Sequence, residues 1–460
     1  MRKLLLFIVL LGLPLALIAC GGGEEAAPTG ETPARPPGAP AVSIDLWHSE
    51  TAANLETLER LTGRFNASQD RVTVRPVFQG NDEELTAKLM VALGSGSAPA
   101  LVYLPEVDTR RMIDSGAVRP LQDFIDRDDY DLSDFEEKAI GYYTVEDKLW
   151  AMPMGVLVQL LYYNKIPFRE VGLDPEKPPR DLEEVRQYSE KLLKRDASGK
   201  LLRSGVAMDI TPWYLELALA QHGDLYADNN NGRDGRPEKV LFSDNETASW
   251  FFRWWDDTVD QGLTLNVGRN PGAEGYLAVA SGRAAMVFGG SPALRSVLNA
   301  LEEGIEGVEI GLAAWPGVPG GTPLPGVWTR SLWILNQRPD DEQEAAWEFI
   351  RWLMEPEQQA EWFAGSGYLP VRLSALALPA AREVIAKYPL FQVPVDIYLD
   401  APSTPASLGP LIGATRAVRE PVAQAIEGML SGSKDPIGAL EEAADSANEI
   451  IKEYNERVGD

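Results

Sequence analysis

Cysteine is all but missing: Cys20 stands alone among 460 residues. No disulfide can form within the chain, so its fold rests on packing alone. Histidine is nearly as scarce, with only His48 and His222, far apart in sequence. A zinc centre built from several His or Cys ligands is thereby excluded. Positive charge is in short supply too. Forty-two Lys and Arg face 69 Asp and Glu, for a formal net charge of -27. The balance argues against nucleic acid or anionic lipid as a partner, since both call for basic patches, although one local Arg can still hold a small ligand. Catalytic spacings are also lacking: there is no H-E-x-x-H, C-x-x-C, G-x-S-x-G, Walker loop or G-x-G-x-x-G. Asp228 to Gly235 is rich in Asn and Gly, but an EF-hand loop starting at Asp228 needs Gly where Arg233 stands. A hairpin loop is the better reading. A carboxylate pair for glycoside hydrolysis stays open, because so many acids guarantee that some pair fits. The chain is expected to be no enzyme, and to need no metal or cofactor.

What is present begins with Arg2 and Lys3, then an apolar run from Leu4 to Ile18 that is short for a bilayer span. Residues 1–19 read as a secretory signal peptide. Leu17-Ile18-Ala19-Cys20 resembles the lipobox of bacterial lipoproteins. The resemblance implies cleavage before Cys20 and acyl chains on its sulfur, which anchor the protein outside the cytoplasmic membrane. An ordinary signal peptide that contains a Cys is the alternative. Residues 20–40, rich in Gly, Pro, Ala and Thr, read as a flexible linker. No later segment has eighteen uninterrupted apolar residues.

The folded body starts near Ala41 and is too long for one compact core, so two lobes are expected. Val42, Ile44 and Leu46 alternate with polar residues, as in a strand ending at Trp47-His48. Leu55, Leu58, Leu61 and Phe65 follow at helical spacing. Arg71 to Phe78 reads as a strand that Pro76 puts at an edge. Asn81 and Glu84 form a capping box for a helix ended by Gly94, and Ala100 to Leu104 reads as a buried parallel strand. This β-α-β-α-β order predicts a doubly wound α/β lobe. Ligands of such lobes sit beyond the carboxyl ends of the strands, near His48, Asp82 and Glu106. Further strands are read over 160–165, 282–288 and 326–335. Helices are read after Asp181, across Trp250 to Trp255, over 345–354, and from Pro436 to Val458 with Asp435 as cap. Trp250, Trp254, Trp347, Phe349 and Trp352 read as helix faces turned to a core.

Several stretches in fixed order carry a resemblance: Leu46-Trp47-His48-Ser49, Arg64-Phe65-Asn66-Ala67, Gly80-Asn81, Ala98-Pro99-Ala100, Glu106-Val107, Leu161 to Lys165, Gly172 to Glu176, Ser331-Leu332-Trp333 and Gly367-Tyr368-Leu369-Pro370. Along nearly its whole mature length the chain resembles the extracellular solute-binding proteins of ABC importers, family 1, on the glycerol-3-phosphate-binding side. The resemblance implies an α/β, two-lobed periplasmic-binding-protein fold of type II, each lobe a doubly wound sheet. One lobe is expected over 41–157 with 288–332, the other over 158–287 with 333–460. Crossover strands form the hinge near Leu157 to Leu161, Phe288 to Ser291 and Thr329 to Trp333. The implied partners are a small-molecule solute and the permease subunits, with the chain itself a monomer.

Residue by residue, the resemblance places Glu106, Trp213, Tyr368 and Arg416 around the solute. A carboxylate accepts two hydroxyls, an indole covers the C–H face of a sugar, a phenol donates and accepts, and a guanidinium suits phosphate, vicinal hydroxyls or a sugar carboxylate. Asp82 replaces a tyrosine of that branch, Leu157 and Gly290 replace serines, and Thr329 replaces a glycine next to Trp328. Ser291 is placed to substitute for the serine lost at Gly290. His48 has two open roles, donor to the ligand or donor to a backbone carbonyl. An added carboxylate next to a phosphate dianion is unfavourable, more so in a closed cleft. The changes therefore favour a neutral mono- or oligosaccharide, with glycerol-3-phosphate or a glycerophosphodiester as the alternative.

Overall fold

In the computed structural model, residues 41–269, 273–322 and 328–459 are described. The signal peptide, the linker, Cys20 and the first two residues of the strand expected over 326–335 lie outside the described residues. Alternating apolar residues make Val42–His48 a strand, and it pairs in parallel with Val72–Phe78 on one side and Leu101–Pro105 on the other. Val72–Phe78, with Pro76, takes the edge. Trp328–Ile334 then adds antiparallel to Leu101–Pro105, and Met152–Leu157 antiparallel beyond it. The second sheet runs Thr264–Asn266, Leu201–Met208, Ala284–Gly290, Gln159–Asn164, Ile310–Ala314. Its first three strands are parallel, and Gln159–Asn164 runs against both neighbours. Both lobes are thus parallel βα windings finished by antiparallel strands, with helices supplying the cover.

The capping box forms: Asn81 Oδ1 accepts from the Glu84 N–H at 2.9 Å, and Glu84 Oε2 from the Asn81 N–H at 3.0 Å. The helix runs over Asp82–Ser95, so Gly94 is helical and Gly96, in the left-handed conformation, stops it. Asp435 caps Pro436–Val458 through the Gly438 N–H at 2.9 Å. Asp228–Gly232 is no simple hairpin: Asn229, Asn230 and Asn231 all adopt left-handed φ, and the loop is closed by the Ala227–Val240 bridge.

Two hydrophobic cores carry the lobes. One gathers Leu46, Leu58, Leu104 and Trp333, the other Leu161, Val206, Tyr214 and Trp255. The core packing departs from the expected ranges in two places. Ile310–Ala314 belongs to the second sheet, not the first. Trp347, Phe349, Trp362 and Phe391, from the helices after the last strand, fill the first core. The second core regains the chain at Ile412, through the paired helices Thr415–Leu430 and Pro436–Val458. An amphipathic helix announces that it covers something but not which sheet, and this is why the sequence misplaced these helices. Passages between the halves follow Leu157 and Gly290, precede Ile310 and Trp328, and follow Leu411. Thr329 to Trp333, expected as a crossover, lies within a strand of the first sheet.

Candidate functional site

The carboxyl ends of the first-lobe strands face the second lobe across a cavity of about 250 Å³. Eight of the ten predicted residues line it: Asp82, Glu106, Trp213, Gly290, Trp328, Thr329, Tyr368 and Arg416. The other two do not. Ser291 is fully buried behind the wall, where its N–H donates to Val158 O and its Oγ accepts from the Val158 N–H. His48 is buried as well, with Nδ1 accepting the Glu50 N–H at 3.2 Å. Burial, helped by Arg330, pulls its pKa down to about 4, so the ring stays neutral. The backbone partner is thus an N–H that donates to the ring, not the carbonyl that was expected.

Each wall residue is set by its own element. Glu106 opens the turn that follows Leu101–Pro105. Trp213 begins the helix Trp213–His222 and meets Trp328 edge to face, with ring centres 5.9 Å apart. Tyr368 stacks on Trp362 at 5.7 Å, in space that Gly155 leaves free; a Cβ there lies 2.8 Å from the Tyr368 side chain. Gly290 faces Leu157, whose side chain is 3.2 Å from where a Cβ stands, so the two replacements fit each other. Thr329 donates its hydroxyl to Tyr143 Oη at 2.6 Å.

Three polar lining residues were not anticipated: Gln159, Arg330 and Arg419. Arg330 decides the electrostatics. It stands on Trp328–Ile334 opposite Gly155, and its side chain lines the site. Its guanidinium bonds Asp82 through Nη1 at 3.1 Å and Nη2 at 2.9 Å, and its Nε lies 3.0 Å from Glu50 Oε1. Ser49 also donates to Asp82. Burial pushes the Asp82 carboxyl up, but Arg330 and Ser49 outweigh it and hold the group below its usual range. Asp82 is therefore not a bare negative charge in the cleft. Arg416 and Arg419, one turn apart on Thr415–Leu430, are committed in the same way. Arg416 grips Asp108 at 2.9 and 2.6 Å, and Arg419 grips Glu216 at 2.7 Å through both Nε and Nη2. Glu106 sits 4.0 Å from Arg419, too far for a hydrogen bond. Burial raises its pKa to about 7 against the pull of Arg419. Gln159 Oε1 is buried without a hydrogen-bond partner, an acceptor ready for a ligand donor. None of these three follows a signal readable in sequence: the partners of Arg330 lie far along the chain, and Gln159 and Arg419 sit in segments whose facing lobe is set only by the fold.

A larger groove, about 830 Å³, runs beside Trp250 and Trp254 on the second lobe and holds none of the predicted residues. Among the described residues no cluster of His, Cys, Asp and Glu could hold a metal ion, and no helix is long and apolar enough to cross a membrane.

The family profile described as bacterial extracellular solute-binding protein matches residues 61–393. The sn-glycerol-3-phosphate-binding periplasmic protein UgpB of Pectobacterium atrosepticum is 29% identical over 424 residues, covering 90% of this chain and 93% of that protein. Among solved structures, UgpB from Mycobacterium tuberculosis in complex with glycerophosphocholine superposes with a TM-score of 0.76 at 18% identity, covering 90% of this chain and 99% of that one. The GacH receptor of Streptomyces glaucescens superposes with a TM-score of 0.74 at 20% identity, covering 90% and 100%. Two sheet lobes facing each other across a lined cavity, and a family match over most of the chain, agree: this protein belongs to the bacterial extracellular solute-binding proteins.

Proposed function

We propose that the protein captures a neutral, hydroxyl-rich solute, a sugar or related polyol, and delivers it to the permease of an ABC importer. It works as a monomer held outside the cytoplasmic membrane by lipid on Cys20. Binding does not alter the solute. One observation carries the choice of a neutral ligand: all three guanidiniums at the cavity are already committed to carboxylates. A phosphate dianion must either displace Asp82, Asp108 or Glu216 or share their space, and both are costly in a partly dry cleft. Glu106, Gln159 and Tyr368 offer acceptors and a phenol, and Trp213 and Trp328 offer ring edges and faces, the set that hydroxyls on a carbon frame require. A second reading, glycerol-3-phosphate or a glycerophosphodiester, draws on the printed names of the sequence relatives and on Arg416 at the wall.

Calorimetry and thermal shift against sugars, polyols and glycerophospho compounds test the choice. A neutral sugar is expected to raise the melting temperature without product formation, and its affinity to be indifferent to salt. Tight, salt-sensitive binding of a phosphorylated polyol, lost in Arg416→Ala, reverses the choice. Turnover of a glycoside replaces the transport reading with an enzyme.

A further inference from the structure

The cavity has a neighbour. A second hollow, about 260 Å³, is lined by Asp209, Trp213, Val267, Tyr276, Phe288 and Gly289, among others. Trp213 is a wall of both hollows. The strand Ala284–Gly290 is likewise shared: Phe288 and Gly289 line the second hollow, and Gly290 the first. The first hollow alone falls short of the roughly 300–1,000 Å³ usual for a site that encloses a small molecule, whereas the two together fall within that range. The second hollow is not merely apolar. Asp209 follows the strand Leu201–Met208 directly, and its Oδ1 is oriented by the Tyr214 hydroxyl at 2.6 Å. The Tyr276 hydroxyl lies over Gly289, where even a Cβ is only 2.0 Å from it, so glycine is what allows the phenol so close to the sheet. A fixed carboxylate, a phenol and an indole edge repeat the chemistry of the first hollow.

We propose that the second hollow is a subsite for a second sugar ring, so that the solute is a disaccharide or longer saccharide spanning Trp213. One ring lies by Glu106 and Tyr368, and the next meets Asp209 and Tyr276. This rests on the sugar reading above. It is tested by calorimetry on the full-length protein, kept in a detergent without a sugar head group, with matched mono- and disaccharides of glucose, mannose and galactose. At least one disaccharide is expected to bind about tenfold or more tightly than its own monosaccharide. Asp209→Asn, which keeps an acceptor for Tyr214, and Val267→Trp, which fills the hollow, are each expected to cost the disaccharide about tenfold while leaving the monosaccharide within about twofold. Should Val267→Trp not fold, Asp209→Asn carries the comparison. Equal affinity for both sugars, or equal losses for both in Asp209→Asn, overturns the subsite and leaves the sugar reading standing. No binding of either class by the unmodified protein overturns both.

Discussion

Glu106 is the residue on which pH acts most directly. Its carboxyl, ordinarily titrating near 4.5, titrates near 7 when the cavity is unliganded. Ligand hydroxyls donate to the charged form, so affinity is expected to rise as pH increases through about 7. Glu106→Gln should flatten that dependence, and Glu106→Ala should weaken binding several-fold, both read by calorimetry from pH 5.5 to 8.5. Stability runs the other way. Because the folded pKa is raised, the stabilisation from Glu106 is fully present below 4.5 and is lost as pH rises through about 7. His48 has the opposite sign: its pKa falls from 6.5 to about 4, so its contribution is present above 6.5 and is lost as pH falls through 4. Melting curves of His48→Gln should show a shallower acid limb than the parent protein. An unchanged limb removes His48 from the acid response.

At the level of elements, the strand Trp328–Ile334 matters most, since it carries Arg330 between Glu50 and Asp82. Arg330→Met leaves the buried Glu50 without its cation, and the part-exposed Asp82 beside it, and is expected to cost at most about 3 kcal/mol in urea unfolding. Asn81→Ala removes one half of the capping box under Asp82, at an expected cost of about 1 kcal/mol. The capped helices were legible in the sequence because a cap is local: Asn81 with Glu84, and Asp435 with Pro436, need no partner from elsewhere. The strands around His48, Phe78 and Leu104 were legible for the same reason, through alternation and apolar runs. Arg330 was not, because the carboxylates it serves, Glu50 and Asp82, lie far from it in sequence. Asp82 was seen as a candidate, but its charge was misjudged, since the cation that offsets it lies far along the chain and was not in view.

Across the whole molecule, the lobes meet through charged contacts as well as through the cavity. Asp114, in the first lobe and almost fully buried, takes Arg110 at 2.9 Å, Arg236 at 3.0 Å and the Tyr454 hydroxyl at 2.9 Å. Arg236 and Tyr454 come from beyond the hinge, so Asp114 ties the halves together without lining the cavity. Asp114→Asn is expected to favour the open form: a larger radius of gyration in solution scattering, and about tenfold weaker ligand affinity because fewer molecules start closed. Unchanged scattering assigns Asp114 a purely local role. That two lobes face a common cleft was implied by the family resemblance that the ordered motifs carry, whereas the allocation of helices between lobes was not legible, because it depends on which core each apolar stripe reaches.

The chain's repeated passage from one half to the other has a mechanical consequence. Neither half is a continuous piece of polypeptide, so a single protease nick in one connection releases nothing. The remaining connections stay covalent, and the cleaved molecule should run as two bands on a denaturing gel yet elute as one particle from a sizing column. Several parallel tethers also suppress twisting and sliding, leaving rotation about one line as the easy motion, much as a door on more than one pin can only swing.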